Sequence, residues 1–425
     1  MRALVVSPVV PWPCDTGGRI RTAKLVRALA RHAEVHLWAV RQPWLAPGVP
    51  AALERDGAQV RVFERSRLPL RLRPARTRQE RWFHSEELAQ ALAAPDLARR
   101  FDLVHVDEPC ALRLVPPALD LPLVVHHHKL DSLLHERLRR PLSPRARWEA
   151  RQLARLERLA AARTPHHVLT SPDDAAVLAA RFPRLRLALV PSGFDADYFV
   201  PRADDAPRDV NALLFLGTLD YAPNVDGLEW FLREVWPRLR ARRSELALDV
   251  VGRDPPERLR RAAPAGVRVW GRVDDVRPHL ARAACLVASL RVGGGTRLKV
   301  VDALAMRCPV AGTPAAVEGL ELADGEHLLV ADDAPGYVRA VERLLDEPAL
   351  ARRLAEAGRA RVLELYPWER LAARLAEAWR AALSAGARTG GPAAPAEAAQ
   401  AAASPAALPR PPGSGARAAA GARSR

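Results

Sequence analysis

The 425-residue sequence predicts an α/β fold: two Rossmann-like, doubly wound lobes with a cleft between them, followed by a disordered C-terminal tail. Three observations carry this. The length exceeds one ordinary core and suits two domains. Short β-branched or Leu-rich runs alternate from end to end with Ala/Leu/Arg stretches of helical spacing, the pattern of parallel sheets covered by helices. The alternation breaks at residues 191–208, a Pro- and Asp-rich stretch without periodicity that reads as a linker.

In the first half the strand candidates are Ala3–Ser7, Val35–Val40, Val60–Phe63, Leu103–Val106, Leu123–His126, His167–Thr170 and Leu187–Val190. In the second they are Ala212–Leu216, Ala247–Val251, Val267–Trp270, Cys285–Ala288, Val310–Gly312 and Leu328–Val330. Each set is large enough for its own sheet. The predicted organisation is a first lobe over 1–195, a linker over 196–208, a second lobe over 209–366, a helix over 367–385 and a tail over 386–425. After Gly386 the chain is Ala, Pro, Gly and Arg with almost no large apolar residue, too little burial to offset its ordering entropy.

Composition narrows the function. No apolar run approaches the roughly 20 residues of a membrane span. Met1–Val10 leads into Pro11, Pro13 and a Gly pair without a basic leader, so it reads as a first strand and not a signal peptide. Cys14, Cys110, Cys285 and Cys308 show neither metal-ligand spacing nor a disulfide framework, which fits a reducing cytoplasm. The net charge of +16 invites a nucleic-acid reading. Lysine, however, occurs only at positions 24, 129 and 299, every other cation being Arg, and no aromatic-plus-basic stacking pattern appears. Much of the charge is therefore compositional background, and no nucleic-acid partner is expected.

The segment with the clearest chemistry follows the strand at Cys285–Ala288. Gly293, Gly294 and Gly295 precede Thr296, and Arg297-Leu298-Lys299 opens a helix that carries Asp302 one turn on. Consecutive glycines let backbone amides approach a ligand, and Thr296 is placed to cap the helix. A helix N-terminus suits a pyrophosphate. Cations in a first turn oppose the helix dipole unless an anion is present, so Arg297 and Lys299 point to a bound phosphate. Asp302 is placed for ribose hydroxyls. A second turn, Gly217-Thr218, follows the strand that opens the second lobe and offers backbone amides to the same diphosphate.

These residues resemble the retaining glycosyltransferases of the two-lobed GT-B type, family 4. The resemblance spans Met1 to about Leu383. It rests on Pro11-Trp12-Pro13 with Asp15, Gly17, Gly18, Arg19 and Arg21, on Val190-Pro191-Ser192-Gly193-Phe194-Asp195, and on Gly293–Lys299 followed by Asp302-Ala303-Leu304-Ala305. Pro309-Val310 with Glu318-Gly319-Leu320 completes it. What it implies is a nucleoside diphosphate sugar held mainly by the second lobe and an acceptor held by the first, either a glycan, a lipid-linked sugar or a small molecule. It further implies transfer with retention, the Gly17-Gly18 loop facing the donor phosphates, and a final helix returning to the first lobe. Two departures stand out. Family members often carry two glutamates with seven residues between them, where this chain has Gly294 and Asp302. The Arg and Lys that frequently follow the second-lobe glycine turn are replaced by Asp220 and Pro223-Asn224-Val225-Asp226-Gly227, leaving the phosphate charge to Arg297 and Lys299.

The strand at Leu123 ends in His126-His127-His128, with Asp131 behind it. Alternation puts His126 and His128 on one face, but no carboxylate or Cys nearby completes a metal shell, and no metal is expected. The resemblance places His128 and Asp131 beside the reacting carbons as the catalytic candidates. No Asp-x-Asp motif is read in a strand-end loop, so the diphosphate charge falls to Arg297, Lys299 and amides without a cofactor. Asp173-Asp174 after Ser171-Pro172 reads as a capped helix start. The basic stretches Arg65–Arg81 and Pro144–Arg163 fit solvated faces or contact with an anionic membrane. The protein is thus expected to be cytoplasmic, with peripheral attachment to the inner membrane face as the alternative. The competing function is a nucleotide-sugar epimerase of the same architecture, which needs a carboxylate dyad that Gly294 removes.

Overall fold

In the computed structural model, described for all residues except 15, 46–52, 54–56, 139–142, 203–206, 262, 294–296 and 389–425, every predicted strand forms. The first sheet contains β1 (Arg2–Ser7), β2 (Glu34–Val40), β3 (Gln59–Phe63), β4 (Leu103–Val106), β5 (Leu123–His127), β6 (His166–Leu169) and β7 (Arg186–Leu189). All pairings are parallel, in the order β3-β2-β1-β4-β5-β6-β7. The second contains β8 (Asp209–Leu216), β9 (Ala247–Val251), β10 (Val267–Gly271), β11 (Ala283–Ala288), β12 (Val310–Gly312) and β13 (Leu329–Val330). Its order is β10-β9-β8-β11-β12-β13, again parallel. Central strands such as β1, β4 and β11 are apolar on both faces because helices cover both sides.

This order fixes where a ligand can bind. In each lobe the sheet reverses its winding direction between the first and fourth strands, β1/β4 and β8/β11, and the crevice beyond the carboxyl ends of those strands is the binding position of open α/β sheets. Of the residues singled out above, Gly18 and His128 line the space described below.

Local sequence places the flanking helices. Thr16 accepts from the Arg19 amide and starts the helix Gly17–Leu29, and Ser171 accepts from Asp174 to start Pro172–Arg181. The last helix, Trp368–Arg388, buries Trp368, Leu371, Leu375 and Trp379 in one cluster with Ala3, Val5, Leu25 and Leu37 of the first lobe. Burying such side chains contributes about 1.5–3 kcal/mol each. The helical stretch Pro144–Arg163 forms over its whole length, while Arg65–Arg81 folds into a short 3-10 turn, Leu70–Ala75, and the start of a helix, Arg78–Trp82. Among the described residues no helix is long and apolar enough to cross a membrane. Most of the tail assigned to 386–425 lies outside the described residues.

Candidate functional site

A cleft of about 590 Å³ is lined by first-lobe Gly18, Arg19, Trp44, Asp107, Glu108 and His128 and by second-lobe Asp220, Arg253 and Arg272. Both lobes therefore face one space, at the ends of the switch-point strands.

In the second lobe the turn at Gly217 meets the helix that follows Gly293. Gly217 and Lys299, read from separate motifs, meet: a Cβ on Gly217 would lie 2.7 Å from Lys299 Nζ and 2.9 Å from Asn224 Nδ2. Asn224 ties the wall together by donating to the Thr218 carbonyl at 2.8 Å and accepting from Lys299 at 2.7 Å. Lys299 thus reaches the turn from which the family's usual cations are missing. Its ammonium lies 5.0 Å from the Phe215 ring and has no carboxylate partner among the described residues. Burial, reinforced by neighbouring Arg297, lowers its pKa to about 7. Asp302 is half-buried, its side chain has no hydrogen-bond or ion-pair partner among the described residues, and burial pushes its carboxyl well above the ordinary range. The Gly217 amide is committed to the Val251 carbonyl at 3.0 Å, so the turn leaves Thr218 as its amide donor and not both residues as expected.

Arg297 occupies a different post from the one expected. The helix begins at Leu298 with Arg297 at the cap position, without a side-chain cap bond, and runs Leu298–Ala305. Its guanidinium is buried, donating to the Ala315 carbonyl at 2.8 Å and to Glu318 at 3.1 Å. A Cβ on Gly293 would lie 3.1 Å from that guanidinium, so Arg297 braces the glycine loop from beneath. Gly294, Gly295 and Thr296 lie outside the described residues. From the other lobe, a Cβ on Gly17 would sit 3.6 Å from Leu298 Cδ1, so Gly17 and Gly18, which form the first turn of the helix Gly17–Leu29 and not the expected loop, lie against the start of this helix.

The first-lobe wall is a buried cluster of titratable groups. His128, 10% exposed, has Nε2 3.2 Å from Asp107 and Nδ1 3.1 Å from Glu108. Burial alone would lower its pKa, but the two carboxylates prevail and raise it to about 9. Burial likewise opposes ionisation of Asp107 and Glu108, and His128 holds both below the ordinary carboxylate range. Asp107 also accepts from Thr22 at 2.6 Å and Ser7 at 3.2 Å, which locks it at the β1/β4 switch. Asp131 is elsewhere. It pairs with Lys129 at 3.3 Å, and the small pocket it lines beside Cys110 and Glu157 does not include His128. The structure therefore does not bring the two catalytic candidates together. Beside His128 it places Asp107 and Glu108, which sequence reasoning passed over; their position directly after β4, next to the strand that precedes His128, was the available signal.

His126 and His128 share a face as alternation requires, 5.0 Å apart, while His127 stacks on His167. His105, Asp107 and His126 cluster closely enough to suggest metal ligands. Their hydrogen bonds give tautomers that do not fit a metal. His126 Nε2 faces Arg21 at 2.7 Å and His105 Nδ1 faces the Trp379 indole at 3.1 Å, both pure donors. Each histidine is buried with its pKa lowered, so the remaining ring nitrogen carries the proton and has no lone pair to offer. One Asp-x-Asp triplet does follow β7, Asp195-Ala196-Asp197, contrary to expectation. Asp195 is occupied by Lys24 at 2.8 Å and by the amides of Asp197 and Tyr198.

Two lobes with facing switch-point crevices are the GT-B architecture, and comparison with known proteins agrees. Residues 16–198 match the family described as Glycosyltransferase Family 4, and residues 210–347 match that described as Glycosyl transferases group 1. The chain is a glycosyltransferase of the GT-B, family-4-like group, with a nucleotide-sugar donor and an acceptor as its substrates. An MMP alpha-(1->4)-mannosyltransferase of Mycolicibacterium hassiacum is 26% identical over 307 residues, 67% of this chain and 71% of that protein. Sucrose-phosphate synthase from Thermosynechococcus elongatus shares the fold with a TM-score of 0.71 at 20% identity, covering 91% of this chain and 100% of that one. Anabaena HepE, solved in complex with UDP-glucose, has a TM-score of 0.62 at 13% identity, with coverages of 89% and 99%. WaaG, a glycosyltransferase involved in lipopolysaccharide biosynthesis, has a TM-score of 0.62 at 16% identity, with the same coverages.

Proposed function

We propose that this enzyme transfers a sugar from a nucleoside diphosphate sugar with retention of configuration and without a metal ion. The acceptor, a glycan, lipid-linked sugar or small molecule, enters from the first-lobe side of the cleft. The observation that carries the proposal is Lys299: a half-buried lysine whose ammonium lies beside a glycine turn, without a carboxylate partner among the described residues. Burial of a cation is costly unless it is paired, and a diphosphate is the partner this wall lacks.

In this assignment Lys299, the Thr218 amide and the Gly293–Thr296 loop meet the diphosphate, Asp302 accepts from the ribose, and Gly17-Gly18 closes over the phosphates. Negative charge grows on the leaving diphosphate as the anomeric carbon becomes oxocarbenium-like, and a fixed cation aimed there lowers the barrier. The tautomers of His105 and His126 support a metal-free site. His128, already protonated between two carboxylates, serves as a hydrogen-bond donor, and the leaving phosphate oxygen takes the acceptor proton. Asp131 acts at one remove, through Lys129. A thermal-shift panel of UDP, GDP, ADP and dTDP tests this. A ligand at 100 times its Kd adds about 2.7 kcal/mol of stability; at least one of the four should raise Tm, and no response to any of them contradicts the assignment.

The enzyme is further proposed to work in the cytoplasm, touching an anionic membrane through the turn at Leu70–Ala75. There Leu70 is 75% exposed and Trp82 44% exposed, among Arg71, Arg73, Arg78 and Arg81. Apolar and basic side chains exposed together suit an anionic interface. Co-sedimentation with vesicles containing anionic lipid should be weakened in a Leu70→Ser, Leu72→Ser variant; equal sedimentation of both proteins contradicts the contact.

A further inference from the structure

Behind the first-lobe wall runs a seam of rings that the donor assignment does not use. It lies on the sheet face that packs with the final helix, where alternation brings His105 and Asp107 from one strand beside His126 and His128 from the next. Four rings follow one another edge to face: Trp379 and His105 at 5.6 Å, His105 and His126 at 5.2 Å, His126 and His128 at 5.0 Å. The first three are buried, and His128 lines the cleft. Two donors pin the seam. Trp379 gives its indole N–H to His105 Nδ1 at 3.1 Å, and the Arg21 guanidinium lies 2.7 Å from His126 Nε2. Both groups donate only, so each histidine, held neutral by burial, carries its proton on the other nitrogen. For His126 that N–H faces the Asp107 carboxylate at 3.8 Å, and one His105 nitrogen lies within 4.8 Å of both groups. Asp107 in turn pairs with His128 Nε2 at 3.2 Å.

We propose that Trp379 is a positioning residue of the transferase: by fixing the tautomer and angle of His105 it sets His126 and Asp107, and through them the imidazole of His128 at the cleft. Its neighbours Leu371 and Leu375 on the same helix contribute packing alone. Because this helix follows the second lobe and buries its apolar face in the first, its docking and the assembly of the cleft wall become one event. The effect on turnover rests on the transferase reading, whereas the ring geometry can be measured in the free protein.

His128 is faced by Asp107 and Glu108 from beyond β4, which raise its pKa, and by neutral His105 and His126 from the two strands. Lys129 acts on Glu108, and Arg21, on the helix Gly17–Leu29, acts on His126. Freeing His105 therefore loosens the contact between Asp107 and the imidazole and lowers the midpoint of His128.

The test follows the histidine ring nitrogens of the full-length protein by NMR, with nucleoside diphosphate affinity and turnover of the matching nucleotide sugar, in Trp379→Phe. Leu375→Val, in the same buried cluster, is the packing control. In the wild type His105 should be neutral with its proton on Nε2. In Trp379→Phe that preference should be lost and the His128 midpoint should fall below the wild-type value of about 9. Turnover should drop about 3- to 10-fold, the effect of one net hydrogen bond felt at the site, with nucleotide Kd unchanged. Leu375→Val should lower Tm without any of these changes. A wild-type proton on Nδ1 of His105, a Trp379→Phe variant altered in Tm alone, or a Leu375→Val variant with the same loss of turnover overturns the proposal. Should Trp379→Phe fail to fold, His105→Asn, whose amide oxygen can still accept from the indole, breaks the seam at the next ring: a lowered His128 midpoint supports the proposal and a wild-type midpoint overturns it. If none of the nucleotides binds the wild type, the donor assignment fails while the NMR arm still decides the role of Trp379.

Discussion

The two walls of the cleft solve opposite electrostatic problems. On the first-lobe side a cation, His128, is enclosed by two carboxylates, and its pKa is raised to about 9. On the second-lobe side a cation, Lys299, has only the Asn224 amide oxygen, and its pKa is lowered to about 7. The contrast extends to the lysines, the rarest charged residue of this chain: Lys24 pairs with Asp195 and Lys129 with Asp131, while Lys299 has no carboxylate partner among the described residues. Two of the three lysines are thus paired with carboxylates, and the third stands beside the Gly217 turn.

The pH dependence of the walls runs in opposite senses, and this gives the largest expected effect. The stability His128 contributes is fully present below its unperturbed pKa of about 6.5 and is lost as pH rises through about 9. Lys299 does the reverse. Because its folded pKa is depressed, its destabilising cost is greatest below about pH 7 and disappears as pH approaches the ordinary lysine value of about 10.4. Lys299→Met should therefore raise the Tm of the free protein, more at pH 6 than at pH 9, while weakening nucleoside diphosphate binding about 10- to 100-fold. Thermal unfolding across that range shows both halves; an unchanged or lowered Tm at pH 6 would break the contrast between the walls.

A smaller effect is expected one layer down. Glu318→Gln weakens the hold on the Arg297 guanidinium that braces Gly293. Donor affinity should fall only a few-fold, about 1 kcal/mol, and Tm should drop slightly, since Ala315 still accepts from Arg297. A loss as large as that of Lys299→Met would mean that Arg297, and not Lys299, carries the phosphate charge.

The fold was legible because each strand is a short apolar run bounded by turn residues, and doubly wound topology follows from alternation with helices. Strand ends differ from expectation by a few residues, as at β8, which starts at Asp209 and not at Ala212. Cations at a helix start contradict the helix dipole, a conflict visible in one dimension that singled out Arg297 and Lys299. How the two diverge was not legible. Arg297 and Lys299 are two residues apart, and only the fold shows one turned toward Glu318 and the other toward Gly217. The first-lobe cluster was half legible. His128 came from the resemblance and its place at a strand end, but Asp107 and Glu108 follow a different strand, and it is the sheet order β4-β5 that sets them against the imidazole.

Calorimetric titration of the stabilising nucleoside diphosphate at pH 8, in buffers of different ionisation enthalpy, tests the central claim most directly. At that pH the phosphate itself is fully ionised, its second pKa being about 6, so proton uptake reports a protein group. Because a bound diphosphate raises the pKa of Lys299 from about 7, the wild type should take up a fraction of a proton on binding, and Lys299→Met should bind more weakly with that uptake abolished. Equal affinity and equal proton uptake in the two proteins would contradict the assignment of Lys299 as the cation held for the donor.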